Sequence, residues 1–420
     1  GARASAPVLR PGVSALFGRP SFSEVGAMDL KTVLVTGSNG YLGYAVSQRL
    51  SQRYNVVGFD RRAPSHPPPT AECLYVDLTS EPSLRRGLET VRELHGSVLA
   101  SVLHFAAYYD FSGAPSPLYE KVTVRGTARL LRLLREMGFR VEQFIFSSTM
   151  LVHAPTTPGS PITEDSPLQP TWAYPQSKVR TEQVIRQERG EIPTVILRIA
   201  GVYDDLGHSA PLPRQVQRIF ERDPTAYVFA GDPTHGQAMV HREDVVDLYV
   251  RLIERRSDLP RELVLGVAEP ETLGYAELQA LLGRLIHGEE EWKTIVLPKP
   301  LGKVGAWVMG TLRLWRIPFV KPWMIERADD HYELDITRAR TAVGWEPRRR
   351  LRDSLPKIVA ALKADPWAWY RENELPIPAW LAAVAPHVPA GEVPGPRLEE
   401  LRDLIAGMTA QARAEHGRSL

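Results

Sequence analysis

A phenol and an ammonium stand four positions apart in Tyr174-Pro175-Gln176-Ser177-Lys178. On a helix, residues four apart share a face, so the two side chains can converge on one point. An adjacent cation favours the phenolate and brings a phenol with a reference pKa near ~10 closer to working pH, which makes Tyr174 a candidate general acid/base. Pro175 disfavours a helical conformation at Tyr174 and suits a first helical turn, so the tyrosine is expected at the helix mouth. The pair gains weight from the hydroxyl cluster Ser147-Ser148-Thr149, which closes an apolar run upstream of it.

Chemistry of this kind needs a partner, and an earlier stretch supplies the place for one. In Lys31–Gly43, KTVLVTGSNGYLG, a short apolar run breaks into Gly37, Gly40 and Gly43, three apart, and resumes as a helical pattern. Such spacing lets the turn fold tightly, lets backbone approach a pyrophosphate and lets the helix pack close to the sheet. Phosphates would rest on the free N–H groups at the start of a helix around Tyr41–Leu50; Asn39, Tyr41 and Leu42 belong to this cradle. About twenty residues on, Val56-Val57-Gly58-Phe59 ends in Asp60, where a carboxylate can accept both ribose hydroxyls of an adenosine. Asp77-Leu78 closes the next strand, with Asp77 serving either the adenine amino group or the start of the helix signalled by Thr79-Ser80-Glu81-Pro82. His104-Phe105-Ala106-Ala107 ends a further strand in small residues against which a ribose and nicotinamide can lie, and His104 itself reads as a packed core residue.

The elements that position these groups follow from the apolar pattern. Val33–Thr36, Val56–Asp60, Leu74–Val76, Val98–Phe105, Gln143–Ser147 and Val195–Ile199 read as strands, and segments such as Tyr119–Met137 between them read as helices. Strict alternation implies an α/β fold whose parallel sheet is covered on both faces, with its ligand at the carboxyl ends of the strands. After Tyr203 the alternation loosens. Residues 206–375 read as a smaller substrate domain into which 239–268, through Val240–Leu252 and Glu262–Val267, returns to the first sheet. The first domain then spans 29–205.

Composition narrows the partners. The chain has 420 residues, 43% apolar, with a formal net charge of +2, which argues against a nucleic-acid binder. Cys73 is its one cysteine, so no intrachain disulfide is possible and a reducing, cytoplasmic setting is expected. No apolar run reaches the ~18 residues of a membrane span. Residues 1–28 carry Arg3, Arg10 and Arg19 against Glu24 and have the look of a targeting leader or of sequence upstream of a start at Met28; disorder is expected there.

Taken together, TGSNGYLG (36–43), GFD (58–60), VDL (76–78), HFAA (104–107), SSTMLVH (147–153), YPQSK (174–178), LRIAGVYDD (197–205), MVHREDVV (239–246) and TRARTAVGWEP (337–347) resemble the extended short-chain dehydrogenase/reductase family, in its NAD-dependent epimerase/dehydratase branch acting on nucleotide sugars. The resemblance covers residues 31–360. It implies a doubly wound parallel Rossmann sheet with an interleaved C-terminal substrate domain, NAD as cofactor, and no metal. It also implies Tyr174 as the catalytic tyrosine, Lys178 as the lysine that holds the nicotinamide ribose, and Thr149, 25 positions before Tyr174, as the hydroxyl that bonds the reacting oxygen. Asp60 matches the residue selecting NAD over NADP, although Arg61 and Arg62 beside it could grip a 2′-phosphate. Substrate-facing positions are Tyr108, Thr149, Tyr203, Gln237 and Arg327. A homodimer through Tyr119–Met137 and Pro175–Gln187 is implied as well.

Two departures bear on the substrate. Thr123, in TVRGT, stands where relatives carry an asparagine, and Gln237 stands where many carry an arginine on a substrate diphosphate, with Arg327 near another phosphate-binding position. Leu301, Val304, Val308, Leu312 and Trp315 share one face of an expected helix, close to Trp307, Phe319 and Trp323. That helix reads as a roof over the cleft, as the lining for an apolar substrate or, with Lys303, Arg313 and Arg316, as a peripheral membrane contact. Three activities stay open at this point: hydride transfer on a nucleotide sugar, net oxidation or reduction of an apolar, hydroxysteroid-like alcohol, and a non-catalytic NAD-binding scaffold. Residues 376–420 read as a Pro/Ala-rich linker and a docking helix, with Leu398, Leu401, Leu404 and Ile405 as its apolar stripe.

Overall fold

The computed structural model describes residues 30–62, 72–110, 113–209, 211–289, 292–299 and 326–384. The roof helix at 301–315, the leader and the 396–408 helix lie outside the described residues.

The alternation of apolar runs and helical patterns becomes β1 (Thr32–Thr36), α1 (Tyr41–Leu50), β2 (Asn55–Asp60), β3 (Glu72–Tyr75), α2 (Glu81–His95), β4 (Val98–His104), α3 (Arg125–Glu136), β5 (Arg140–Val141), β6 (Phe144–Thr149), α4 (Ala173–Glu188) and β7 (Thr194–Ile199). A π-helical turn, Tyr119–Val124, precedes α3. Further on come β8 (Gly201–Tyr203), α5 (Pro211–Phe220), β9 (Val228–Ala230), β10 (Met239–His241), α6 (Arg242–Glu254), β11 (Glu262–Val267), α7 (Tyr275–His287) and β12 (Ile295–Leu297). The main sheet has the order β11-β7-β6-β4-β1-β2-β3, with β5 paired to β4, and every pairing in it is parallel.

Strands buried on both faces are continuous apolar runs, and β1, β6 and β7 are buried at every position. Alternation along β1 sends Val33 and Val35 into one core and Leu34 into the other. The first core is closed by Val46 and Leu50 of α1 and by Val245, Leu248, Tyr249 and Leu252 of α6; the second by Leu84 and Leu88 of α2, Leu130 and Leu134 of α3 and Ile185 of α4. A third core joins α5 and α7 to the helix Leu351–Ala364 and to Trp369 and Tyr370.

Of the stretch 239–268, only β11 returns to the main sheet. Met239–His241 pairs instead with β8 in a two-stranded parallel sheet, and the rest of Val240–Leu252 comes back as a helix, Arg242–Glu254, packed on the first face of the main sheet. His241, whose Nδ1 accepts from Glu243 N at 3.2 Å, and the acids Glu243 and Asp244 in the first turn start a helix here.

Candidate functional site

The glycine turn joins β1 to α1 at the carboxyl edge of the sheet. Gly37 has φ +73°, a conformation that disfavours side chains, and its N–H donates to Phe59 O at 2.8 Å. A Cβ there would meet Ala106 N at 2.8 Å, and one on Gly43 would meet Gly37 O at 2.1 Å. The helix that follows has neither a side-chain cap nor an acid in its first turn, whereas α2 is capped by Ser80 and begins with Glu81. The N–H groups of α1 are therefore open to an anion, and this turn fits a dinucleotide pyrophosphate. The Leu42 side chain packs against the first core. Tyr41 turns its ring toward His208, 5.7 Å away, beneath the Arg242 guanidinium at 5.0 Å.

Asp60 ends β2 beside this turn. Its Oδ2 accepts from Asn39 N and its Oδ1 from Arg62 N, both at 3.0 Å, and Asn39 Nδ2 donates to Arg62 O. The Asp60 carboxylate is thus oriented by two backbone donors, while Arg61 and Arg62 are exposed. At the end of β3, Asp77 Oδ1 accepts from Thr79 N and Oγ1, both at 2.8 Å, and the cap of α2 is Ser80, which accepts from Ser83 N. Asp77 shapes the turn before the cap. It also lines an open cavity of about 540 Å³ with Leu74, Tyr75, Ser80 and Arg86, which shares no lining residue with the Tyr174 group. Leu78, expected at the cofactor, is buried in the second core.

Beneath Ala106 and Ala107 runs a closed chain of hydrogen bonds. Thr127 Oγ1 donates to Thr123 O at 2.6 Å and accepts from His104 Nε2 at 2.7 Å, so His104 Nδ1 accepts from Thr36 Oγ1, also at 2.7 Å. Burial, and then the Lys178 charge, hold His104 down to about 3. His104 is a neutral core residue, as its place in the strand implied. Thr123, in the π turn, accepts from Tyr108 N at 2.9 Å, so this threonine holds backbone.

Thr149, Tyr174 and Lys178 come together where β6 ends and α4 begins. Tyr174 is the second residue of α4, after the N-cap Trp172. Its phenol lies beside the hydroxyl of Thr149, which opposes the rise in the phenol's pKa, and Thr149 Oγ1 accepts from Leu151 N at 3.3 Å. Lys178, one turn on, donates to Ser147 O at 2.7 Å and lies 4.7 Å from the Phe146 ring centre and 5.7 Å from that of Tyr174. Ser147 Oγ meets the Tyr249 hydroxyl at 2.6 Å. In the chain by itself the expected lowering of the phenol is reversed. Burial, then Tyr109, push Tyr174 up against the Thr149 hydroxyl, and burial pulls Lys178 down to about 7 against the pull of Glu182. Desolvation disfavours both charged forms.

On the side expected to take substrate, the structure separates the candidates. Tyr108 packs edge-on against Tyr119 at 4.8 Å. Arg327 donates to both the hydroxyl and the carbonyl of Thr171, three residues before Tyr174, and Gln237 Nε2 donates to Asp330 O at 2.9 Å. Tyr203 is corrected: it is wholly buried in the third core, its hydroxyl donating to Glu269 Oε2 at 3.4 Å. Three rings that the sequence reading passed over surround Tyr174: Tyr109 at 4.9 Å, Trp172 at 5.4 Å and Tyr119 at 6.5 Å. The aromatic run Tyr108-Tyr109 directly after Ala107 was their signal.

A family model described as NAD dependent epimerase/dehydratase family matches residues 33–266. The 3 beta-hydroxysteroid dehydrogenase type 7 of Homo sapiens is 26% identical over 364 residues, 79% of this chain and 95% of the relative. The UDP-glucose 4-epimerase of Streptomyces lividans is 28% identical over 249 residues, 53% of this chain and 71% of the relative. Among solved structures, UDP-glucuronic acid 4-epimerase from Bacillus cereus in complex with UDP-glucuronic acid and NAD aligns with TM-score 0.59 at 19% identity, over 79% of this chain and 99% of that one. MoeE5 in complex with UDP-glucose and NAD aligns with TM-score 0.59 at 21% identity, over 82% and 99%. These structural likenesses show a shared fold.

Proposed function

Because the chain belongs to the NAD dependent epimerase/dehydratase family, we propose that it is an NAD-dependent enzyme of that type, acting at a secondary alcohol or ketone with Tyr174 as acid/base, Thr149 orienting the reacting oxygen and Lys178 holding the nicotinamide ribose. The convergence of Tyr174 with the Thr149 hydroxyl at the end of β6, and with Lys178 one turn behind at 5.7 Å from its ring centre, supports the reading. Tyr174 is a protonated phenol in the chain alone, suited to donate to a carbonyl; taking a hydroxyl proton requires positive charge nearby, which Lys178 provides as an ammonium. Bound NAD supplies the hydride acceptor. The Asp60 carboxylate favours NAD over NADP, since a 2′-phosphate would face it.

A nucleotide sugar is the first substrate class, supported by the sugar-nucleotide epimerases among the relatives. A second reading, an apolar hydroxysteroid-like alcohol, is favoured by the ring wall of Tyr109, Tyr119 and Trp172 and by Gln237 in place of an arginine. Melting the protein with NAD and either UDP-glucose or a 3β-hydroxysteroid separates them, because a ligand of the folded state raises Tm by mass action. With whichever substrate turns over, Tyr174→Phe should lower kcat by about 10²–10⁴-fold while leaving NAD affinity in place; wild-type turnover would remove Tyr174 from the mechanism. A cytoplasmic homodimer through the π turn, α3 and α4 belongs to the same reading, and a sedimentation mass of one chain would remove the dimer.

A further inference from the structure

We propose that the Asn39 side chain is a positioning residue for cofactor choice: its amide ties the backbone beyond β2 to the glycine turn, so that the Asp60 carboxylate, rather than Arg61 or Arg62, meets the adenosine ribose. The inference rests on the reading of Asp60 as the ribose acceptor. Asn39, Asp60 and Arg62 close a ring of hydrogen bonds. Asn39 N donates to Asp60 Oδ2 and Arg62 N to Asp60 Oδ1, both at 3.0 Å, and Asn39 Nδ2 donates to Arg62 O. Each oxygen of the carboxylate thus leads back to Asn39, one through its backbone and one through its side chain. The other end of the amide is used as well: Cys73 Sγ, on β3, donates to Asn39 Oδ1 at 3.8 Å.

The turn that carries this amide is seated on β2. Ser38 is 3% exposed, and a Cβ on Gly58 would meet its Oγ at 2.5 Å, so turn and strand pack directly on one another. Asn39 itself is only half-buried, and its bonds hold neighbouring chain rather than core. Seating the turn does not require a side chain that reaches past the carboxylate to the residue two beyond it. The two arginines directly after the carboxylate give that reach a purpose. Arg61 and Arg62 are exposed, and a guanidinium is well shaped to grip a 2′-phosphate. With Arg62 held at both its N–H and its carbonyl, the carboxylate keeps its place and the backbone at 61–62 is kept from swinging over the ribose. A carboxylate fixed there accepts from a ribose hydroxyl and repels a 2′-phosphate.

Affinities for NAD and NADP, measured by calorimetric titration of the whole chain, test this without a substrate. The two cofactors share their pyrophosphate, so damage to the glycine turn lowers both affinities alike and cancels in their ratio. Asn39→Ala keeps the backbone donor to Asp60 and removes only the tether. It should weaken NAD and narrow the preference for NAD over NADP by about ten-fold, the worth of one hydrogen bond to a carboxylate. An unchanged ratio overturns the proposal, whether or not both affinities fall. Should Asn39→Ala not fold by circular dichroism, Asn39→Ser, whose hydroxyl is too short to reach Arg62 O, should narrow the ratio in the same way, and a wild-type ratio there overturns it equally. Asp60→Ala in the same assay separates the two levels. A ratio that moves with Asp60→Ala but not with Asn39→Ala defeats the inference alone; a wild type without preference, or a ratio moved by neither variant, defeats the reading of Asp60 together with the inference resting on it.

Discussion

Replacing Gly43 with alanine sets a single methyl group against the turn that should cradle the cofactor. The new Cβ would stand 2.1 Å from Gly37 O, where ordinary contact begins near 3.4 Å, so α1 and the turn must part by about 1.3 Å. The turn has little room to yield: Gly37 N donates to Phe59 O at 2.8 Å, and Gly40 N donates back to Gly37 O at 3.0 Å. A shift of that size misaims the N–H groups proposed to receive a pyrophosphate. Hydrogen bonds to charged groups contribute roughly 1.5–3 kcal/mol each, so losing two lowers NAD affinity by about 10²–10⁴-fold. Calorimetric titration with NAD measures the loss, and the melting temperature reports the strain separately, because overpacking costs about 1–3 kcal/mol of stability. A Gly43→Ala protein that binds NAD within about three-fold of wild type would refute the placement of the pyrophosphate on this turn.

Asp60→Ala should weaken NAD by about ten-fold or more while weakening NADP less, so that the preference narrows; an unchanged ratio of the two dissociation constants would show that Asp60 does not read the ribose. Stability should fall as acid is added. His153 is held down to about 4, by burial and then by Arg198, and His104 to about 3, both below an unfolded value near ~6.5, so the unfolded chain binds the extra protons in that window. Their contribution is complete above about pH 6.5 and is lost progressively toward pH 4 and 3, on the order of 3 kcal/mol for His153 and 5 kcal/mol for His104. His153→Gln, which keeps an acceptor for Arg198, should flatten the curve of Tm against pH between about 4 and 6.5, and an unaltered slope would contradict the assignment.

Much of this architecture could be read from the chain. Strands such as Val33–Thr36 announce themselves because the middle of a strand buried on both faces is a continuous apolar run, and the glycine turn because Gly37 and Gly43 admit no Cβ. Tyr174 and Lys178 were legible through the helical period. Tyr203 was not: its strand end resembled a ligand-facing position, and only the packing of α5 and the helix Leu351–Ala364 over it decides that it faces a core. The Glu182–Arg198 pair escaped for a related reason. Each is an ordinary charged residue along the chain, and their meeting depends on β6 and β7 lying side by side under α4. The direction in which Lys178 and Tyr174 titrate was hidden as well, since neighbouring charge can be inferred from spacing while the extent of desolvation cannot.

The position of β11 at the far edge of the main sheet governs how this protein can be born. β7, completed at Ile199, has its outer hydrogen-bonding edge unfilled until Glu262–Val267 has been synthesised. The cover of the first face waits longer still, for Trp345, whose indole donates to Asp244 O at 2.9 Å, and for Arg349, which meets the Asp244 carboxylate at 3.0 Å. From Ile199 until Val267 has been made, a nascent chain therefore carries an open apolar strand edge, the kind of surface on which chaperones act and aggregates start. A ribosome stalled or a gene cut before codon 345 would release a protein that has its whole cofactor turn and its tyrosine, and still lacks the means to stay folded around them.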